Sequence, residues 1–235
     1  MHIARYGRSA AAAVMVLAGA GLARAADATV YEDGAAVDQA AAESMFDVAF
    51  GVTVTSEYVS RGYALSDGIA VQPWVEFDYG MFYVGYWGSN VVGDWEHDLS
   101  VGFRPEIGPF SLDLGYVRYL YNSGDCCGEL YLKASVSPAD PLTVGAAAFF
   151  DPDSSNAYFE GNASIDLPHN FSISGAAGVQ TYGDGSADDF SWNAGGSWSP
   201  LDWLTLDGRY HGGPDSDMFV VSLAISTSLS ALSGN

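Results

Sequence analysis

Apolar and polar residues alternate along most of the chain with a period of two. In the first such segment Phe46, Val48, Phe50, Val52 and Val54 share one face, and polar or small residues occupy the other. This period is that of a β-strand, whose successive side chains point to opposite faces. Twelve segments show it, each about as long as a strand that crosses a bilayer at a tilt. They cover roughly 46–57, 71–79, 81–89, 98–104, 110–121, 129–137, 142–151, 159–167, 171–182, 189–199, 203–211 and 218–229.

The connections between these segments alternate in length. Five are short and contain Gly or Pro, at 80, 108–109, 138–141, 168–170 and 200–202. Six are longer, polar and mostly acidic, at 61–68, 90–94, 122–128, 151–156, 183–188 and 212–217. An up-and-down barrel with tight periplasmic turns and longer external loops has this arrangement, and an even strand number returns both termini to the periplasm.

Aromatic residues gather at both ends of the apolar face, as expected for the two girdles of an outer-membrane barrel. Those near the turn end are Phe46, Tyr79, Phe82, Phe110, Phe171 and Trp198, and those near the loop end are Tyr58, Tyr86, Phe150, Phe159, Phe190, Tyr210 and Phe219. A secreted β-sandwich also has alternating strands, but it requires neither girdles nor alternating loops. The pattern therefore predicts an all-β fold, an antiparallel up-and-down transmembrane β-barrel of about twelve strands.

The first 25 residues have the pattern of a secretory signal. His2, Arg5 and Arg8 form a positive n-region, small apolar residues follow, and Ala23-Arg24-Ala25 is an A-x-A cleavage site. The absence of a twin arginine favours the Sec route. We therefore expect a signal peptide at 1–25, an acidic, Ala-rich periplasmic segment at 26–45, and a barrel at 46–235 in the outer membrane.

Charge narrows the set of partners. The 235 residues include 8 Lys and Arg against 29 Asp and Glu, giving a formal charge of −21. Such a surface repels phosphate, which excludes nucleic acid and disfavours anionic lipid headgroups. The expected partners are outer-membrane lipid, small solutes or cations, and the barrel-assembly machinery. No cofactor is expected, and the oligomeric state stays open.

The chain between about 50 and 131 resembles the outer-membrane family of TorF-type porins. The matching residues are Thr55, Ser56, Glu57, Tyr58, Arg61, Gly62, Ser66, Asp67 and Gln72, then Phe82, Tyr83, Gly85, Trp87, Ser89, Asn90, Val91, Glu96, Asp98 and Leu99, then 112–121, Glu129 and Tyr131. The resemblance implies a porin. The chain departs from the family after Tyr121, where Asn122 and an inserted Cys126-Cys127 replace the usual Tyr-Pro. Its last strand also lacks the terminal aromatic that many barrels present to their assembly machinery.

If the apolar face meets lipid, the polar face lines the interior, and that lining is acidic. The predicted acidic positions are Glu57, Glu76, Asp78, Glu96, Asp98, Glu106, Asp113, Glu129, Glu160, Asp166 and Asp207, against the basic Arg61, Arg104, Lys133 and Arg209. Carboxylates in a low-dielectric wall concentrate cations and repel anions. The sequence therefore predicts a narrow pore for cations or small polar solutes.

Two alternatives to the pore stay open. A closed, non-conducting barrel would serve a structural or adhesive role, with Arg104 and Lys133 bridging Glu106, Glu129 and neighbouring carboxylates. An outer-membrane hydrolase would use His97 with Asp98, or His211 with Asp207, although neither pair forms a distinctive motif. Uncompensated acid in a sealed interior is costly, which favours the open pore. A solvated histidine at the barrel rim is the simpler interpretation of the histidine pairs, so no enzyme is predicted.

Cys126 and Cys127 are adjacent, in a connection that we expect to be external. The exported compartment permits a vicinal or intermolecular disulfide, and a loop cystine without chemistry is the simplest interpretation. No metal-ligand spacing accompanies the cysteines, so no metal site is predicted.

Overall fold

The computed structural model describes residues 45–233, so the predicted signal peptide and all but the last residue of the predicted periplasmic segment lie outside the described residues. The strands are β1 (Phe46–Thr55), β2 (Val59–Ser60), β3 (Tyr63–Ala64), β4 (Ala70–Tyr79), β5 (Phe82–Val91), β6 (Asp94–Phe103), β7 (Glu106–Ile107), β8 (Phe110–Tyr121), β9 (Gly124–Ala139), β10 (Leu142–Phe150), β11 (Ala157–Leu167), β12 (Phe171–Thr181), β13 (Asp189–Leu201), β14 (Leu204–Gly213) and β15 (Ser216–Ser228). One short helix, α1 (Leu229–Ser233), follows.

Twelve of these strands form a closed antiparallel barrel. Each long strand pairs with its neighbours in the chain, β1 pairs with β15, and β6 pairs with β8 across the short β7. Every long strand therefore has two partners, which leaves no open edge in the ring. The prediction of a twelve-stranded up-and-down barrel is confirmed.

The two faces of each strand differ as the two-residue period predicts. Phe82, Val101 and Phe219 are exposed on the outside of the barrel, whereas Trp87, Glu96 and Asp98 are buried inside it. An apolar outer surface of this kind is expected where a barrel faces hydrocarbon. No helix within residues 45–233 is long and apolar enough to cross a membrane.

The aromatic residues of the turn end are all exposed on the outer face, and there Phe171 stacks on its cross-strand partner Trp198. At the loop end, Tyr58 departs from the prediction. It is buried, with its hydroxyl directed at Glu96 inside the barrel. The two-residue period does not hold here because β1 ends at Thr55 and the chain then turns into the barrel mouth.

Three connections predicted to be long are two-residue turns, at 92–93, 122–123 and 214–215. The strands extend into the polar sequence because their ladder hydrogen bonds continue there, so the predicted loop lengths at these places are wrong. Cys126 and Cys127 consequently lie in β9 rather than in an external loop, and they are joined by a disulfide. Longer outer connections remain at 56–69, 151–156 and 182–188.

Candidate functional site in the barrel interior

The first outer connection, residues 56–69, folds into the mouth of the barrel. Its β2 and β3 form a small hairpin, and Tyr58, Arg61 and Ser66 are buried. Glu57 holds the loop together, accepting hydrogen bonds from the Ser66 hydroxyl and the Gly68 amide at 3.0 Å each. Glu57, predicted to line the pore, therefore braces this segment, which we call the inserted loop.

A backbone contact fixes the inserted loop to the turn between β14 and β15. The Asp215 amide donates to the Gly62 carbonyl at 2.9 Å. A Cβ on Gly62 would lie 2.6 Å from the Pro214 ring and 2.9 Å from the Gly213 Cα, closer than real Cβ atoms approach. Gly62 also has a φ of 82°, which side chains disfavour. Glycine is required here for both reasons.

Arg61 extends from the inserted loop across the barrel. Its two terminal nitrogens each lie 2.8 Å from a different carboxylate oxygen of Glu129, on β9, five strands away from β1 around the ring. It also donates to Gln180 at 3.2 Å, and its guanidinium lies over the rings of Phe149 and Tyr158 at 4.8 and 4.5 Å.

Glu129 stabilises the charged form of Arg61. Burial alone would lower the pKa of Arg61, but the Coulombic attraction of Glu129 and their hydrogen bonds raise it above the ordinary value. Tyr119 donates a further hydrogen bond to Glu129 at 2.9 Å. A bidentate guanidinium–carboxylate contact is geometrically specific, so the loop has one defined position across the outer mouth.

A second group of charges lies in the half of the interior nearer the short turns. Arg104 donates to both oxygens of Glu76, at 2.6 and 2.9 Å, and lies 3.6 Å from Asp78 and 3.7 Å from Asp113. The ammonium of Lys133 is 3.8 Å from Asp113. Arg104, Asp78, Asp113 and Lys133 are partly accessible to solvent, whereas Glu76 is buried, as Arg61 and Glu129 are. In the closed-barrel alternative, Arg104 and Lys133 bridge Glu106, Glu129 and neighbouring carboxylates. Arg104 and Lys133 do contact neighbouring carboxylates, but Glu106 is exposed at the rim and Glu129 binds Arg61 instead.

A third group is centred on Arg209 of β14. It binds both oxygens of Asp207 at 3.2 and 3.0 Å, and it donates to Asn193 at 2.8 Å and Ser174 at 3.2 Å. His211, the next inward residue along β14, is buried beside this group. The guanidinium holds Asp207 in a fixed ion pair, so the arrangement does not resemble a histidine–aspartate catalytic pair.

The remaining predicted lining residues differ in position. Glu160 accepts a hydrogen bond from Tyr158 at 2.9 Å, and Asp166 is half-buried towards the turn end. Glu106 lies in β7 at the turn-end rim and is exposed, so it does not belong to the interior groups. Glu96 accepts from Tyr121 at 2.8 Å, and Asp98 is its neighbour on the same face of β6.

The other sequence candidates lie apart from these groups. His97 is on the lipid-facing side of β6, where it shares a hydrogen bond of 2.9 Å with Tyr86. Among residues 45–233, no three His, Cys, Asp or Glu side chains are grouped so as to hold a metal ion.

Sequence reasoning missed the Arg61–Glu129 contact. Both residues were placed inside by parity or motif, but nothing in the sequence links positions 68 residues apart.

Comparison with known proteins gives a family and a fold. A family model described as "Bacterial protein of unknown function (Gcw_chp)" matches residues 39–224. No match was found among curated proteins. The KdgM porin is similar in structure, with a TM-score of 0.60 and 11% identity over 76% of this chain and 98% of that one. For the NanC porin the TM-score is 0.53 and the sequence identity is 11%, over 77% of this chain and 97% of that one. For the KdgM porin in complex with disordered oligogalacturonate, the TM-score is 0.55 and the sequence identity is 9%, over 77% of this chain and 97% of that one.

Proposed function

The chain belongs to the Gcw_chp family of bacterial proteins, and we propose from this premise and from its porin-like fold that it forms a narrow channel in the outer membrane. The channel passes cations or small polar solutes. The observation that carries the proposal is a closed twelve-stranded barrel that is apolar outside and polar and acidic inside. Porin barrels have such an outer surface around a polar, water-filled interior.

Cation preference follows from how the interior charges are paired. Each basic group inside is close to an acid: Arg61 to Glu129, Arg104 to Glu76, Lys133 to Asp113, and Arg209 to Asp207. Further carboxylates, among them Asp78 and Asp166, add to these pairs. The net field along the passage is therefore negative, which attracts cations and repels anions. An anionic oligosaccharide, such as the one in the KdgM complex, is disfavoured on the same ground.

The inserted loop sets the width of the passage. It lies across the outer mouth and is tied on one side by Gly62 and on the other by Arg61. The turn-end half contains partly accessible polar side chains, including Asp78, Lys133 and Asp166. We infer a wider, wetter entrance on the periplasmic side and a constriction on the outer side.

We also propose that the protein is exported by the Sec route and inserted by the barrel-assembly machinery. The resemblance to TorF-type porins and the predicted signal peptide support both steps. The two girdles of exposed aromatic residues support a place in the outer membrane, because such residues are enriched at lipid–water interfaces.

One observation favours a second candidate, a non-conducting structural or adhesive barrel. The outer half of the interior is densely packed, with Trp87, Tyr119 and Glu129 all essentially inaccessible. A barrel filled by side chains does not conduct. In this alternative the inserted loop is a permanent plug.

Planar-bilayer recording of the refolded protein separates the two candidates. The channel predicts discrete conductance steps, and a salt gradient should give a reversal potential on the cation side. A folded barrel that never conducts would support the plug. Anion selectivity would contradict the proposal that the acidic lining determines which ions pass. Folding is checked independently by the heat-dependent gel shift that closed barrels show.

A further inference from the structure

Glu96 and Asp98 form a pair of buried carboxylates on the inner face of β6. They are two residues apart on one strand, so both side chains project to the same side, and neither is accessible to solvent. Glu96 accepts hydrogen bonds from Tyr121 at 2.8 Å and from Tyr58 at 3.4 Å. Both oxygens of Asp98 are buried without a hydrogen bond from any donor group, and the polar group beside them is the Glu96 carboxyl.

No basic side chain of residues 45–233 lies within 4 Å of either carboxylate. Arg61 is the guanidinium on this side of the interior, and both of its terminal nitrogens are occupied by Glu129. The pair differs in this respect from Glu76, Asp113 and Asp207, which all have a basic neighbour. Two adjacent carboxylates in a dry site are strongly destabilised unless a proton or a cation neutralises them.

The surroundings supply further oxygen atoms. Ser100, the next inward residue along β6, is buried, and its hydroxyl also lacks a hydrogen-bond partner. The cross-strand neighbours of Asp98 are Trp87 on β5 and Tyr119 on β8, both buried, so apolar ring surface encloses the pair on two sides. Carboxylate and hydroxyl oxygens are the ligands that hard cations prefer.

We propose that Glu96 and Asp98 bind one hard metal cation of the Ca²⁺ class, with the Ser100 hydroxyl beyond Asp98 as an additional oxygen. Two carboxylates make a sparse set of protein ligands, so the affinity is expected near the weak end of protein Ca²⁺ sites, about 10⁻⁴ to 10⁻³ M. The bound ion would join β6 to the inserted loop through Glu96 and Tyr58. This inference does not require the barrel to conduct, so its test is independent of the proposed channel.

Terbium luminescence is a direct test because Tb³⁺ replaces Ca²⁺ and emits when a nearby tryptophan is excited. The refolded barrel in detergent is titrated with Tb³⁺, and we expect saturable emission that Ca²⁺ displaces. Asp98→Asn should weaken binding by roughly tenfold or more, since ligand charge sets the affinity of such sites. Trp87→Phe should lower the emission while leaving the Ca²⁺ concentration required for displacement unchanged.

Asp207→Asn is the matched control. Asp207 is also a buried interior carboxylate, but Arg209 holds it, so its replacement should leave Tb³⁺ affinity within about twofold of the wild type. Equal loss in Asp98→Asn and Asp207→Asn would overturn the proposal, because it would indicate non-specific attraction to acidic side chains.

Thermal unfolding supplies a second readout. Saturating Ca²⁺ should raise the melting temperature of the wild type by roughly 2 to 4 °C and that of Asp98→Asn not at all. Asp98→Asn removes a buried charge and is expected to fold, which the gel shift verifies. The cation site would be overturned if no saturable emission were seen and Ca²⁺ left the melting temperature unchanged. That result would indicate that a proton neutralises the pair.

Discussion

Two arginines inside the barrel make the same bidentate contact in different surroundings. Arg61 binds Glu129 in the outer half, where their side chains are only 3% and 2% exposed. Arg104 binds Glu76 in the turn-end half, where its own side chain is 20% exposed. Arg61 comes from a loop and crosses the barrel, whereas Arg104 directly follows β6 and extends only to β4, two strands away.

The difference indicates that the two halves of the interior do different work. In the outer half, water is excluded, and the ion pair fixes a loop in place at the cost of dehydrating both charges. In the turn-end half, Glu76 is buried but Arg104 is partly hydrated, and the partly accessible Asp78, Asp113 and Lys133 face a passing ion. The outer half therefore controls the width of the passage, and the turn-end half contributes the electrostatic field that acts on a passing ion.

Replacement of Arg61 should have the largest effect. Arg61→Ala leaves Glu129 buried without its cation, and breaking a buried pair in this way costs about 3 to 5 kcal/mol of unfolding free energy. The inserted loop also loses its attachment on the β9 side, so single-channel conductance should rise. Urea unfolding in lipid vesicles and bilayer recording measure the two effects.

A double-mutant cycle with Glu129→Gln distinguishes the ion pair from general loss of packing. The two stability losses should be strongly non-additive, because the second substitution removes a charge that the first has already orphaned. Additive losses would show that the Arg61–Glu129 contact does not hold the loop.

Gly62→Ala tests the opposite attachment of the inserted loop. The new Cβ would meet Pro214 and Gly213, and the positive φ adds strain, so we expect a loss of about 2 kcal/mol and increased conductance. Gly68→Ala is the matched control, since Gly68 lies in the same loop with a φ of 92° and nothing within 4 Å of an added Cβ. It should lose only about 1 kcal/mol and conduct as the wild type. Equal conductance changes would show that strain rather than the Gly62–Gly213 contact positions the loop.

Arg104→Gln should have a smaller effect on stability and a larger one on selectivity. Arg104 is partly hydrated but its loss leaves the buried Glu76 without a cation, so it should cost about 2 kcal/mol, between the values for exposed and fully buried pairs. It also leaves Glu76 and Asp78 without a neutralising charge on the passage, so the reversal potential should move further to the cation side. A shift of the reversal potential towards anion selectivity would contradict the proposal that charges in the turn-end half set the ion preference.

The strand faces could be predicted from the sequence, but the contents of the outer half could not. A pleated strand imposes its period on every segment, so the prediction that Phe50 and Val54 lie on the outer face is confirmed. Tyr58 was misplaced because the period ends with β1, and Cys127 was misplaced because β9 continues through polar sequence. The contact of Arg61 depends on how a loop enters a closed ring, which is a property of the assembled barrel rather than of local sequence.

Arg118 provides the smallest expected effect and completes a series ordered by exposure. It lies 3.6 Å from Asp125, with the two side chains 33% and 69% exposed. Exposed pairs contribute little because water screens them and both side chains lose rotamer entropy, so Arg118→Ala should change stability by less than about 0.5 kcal/mol and leave conductance unaltered. If Arg118→Ala cost as much as Arg104→Gln, exposure would not be what ranks these guanidinium groups, and the contrast between the dry and wet halves would lose its energetic basis.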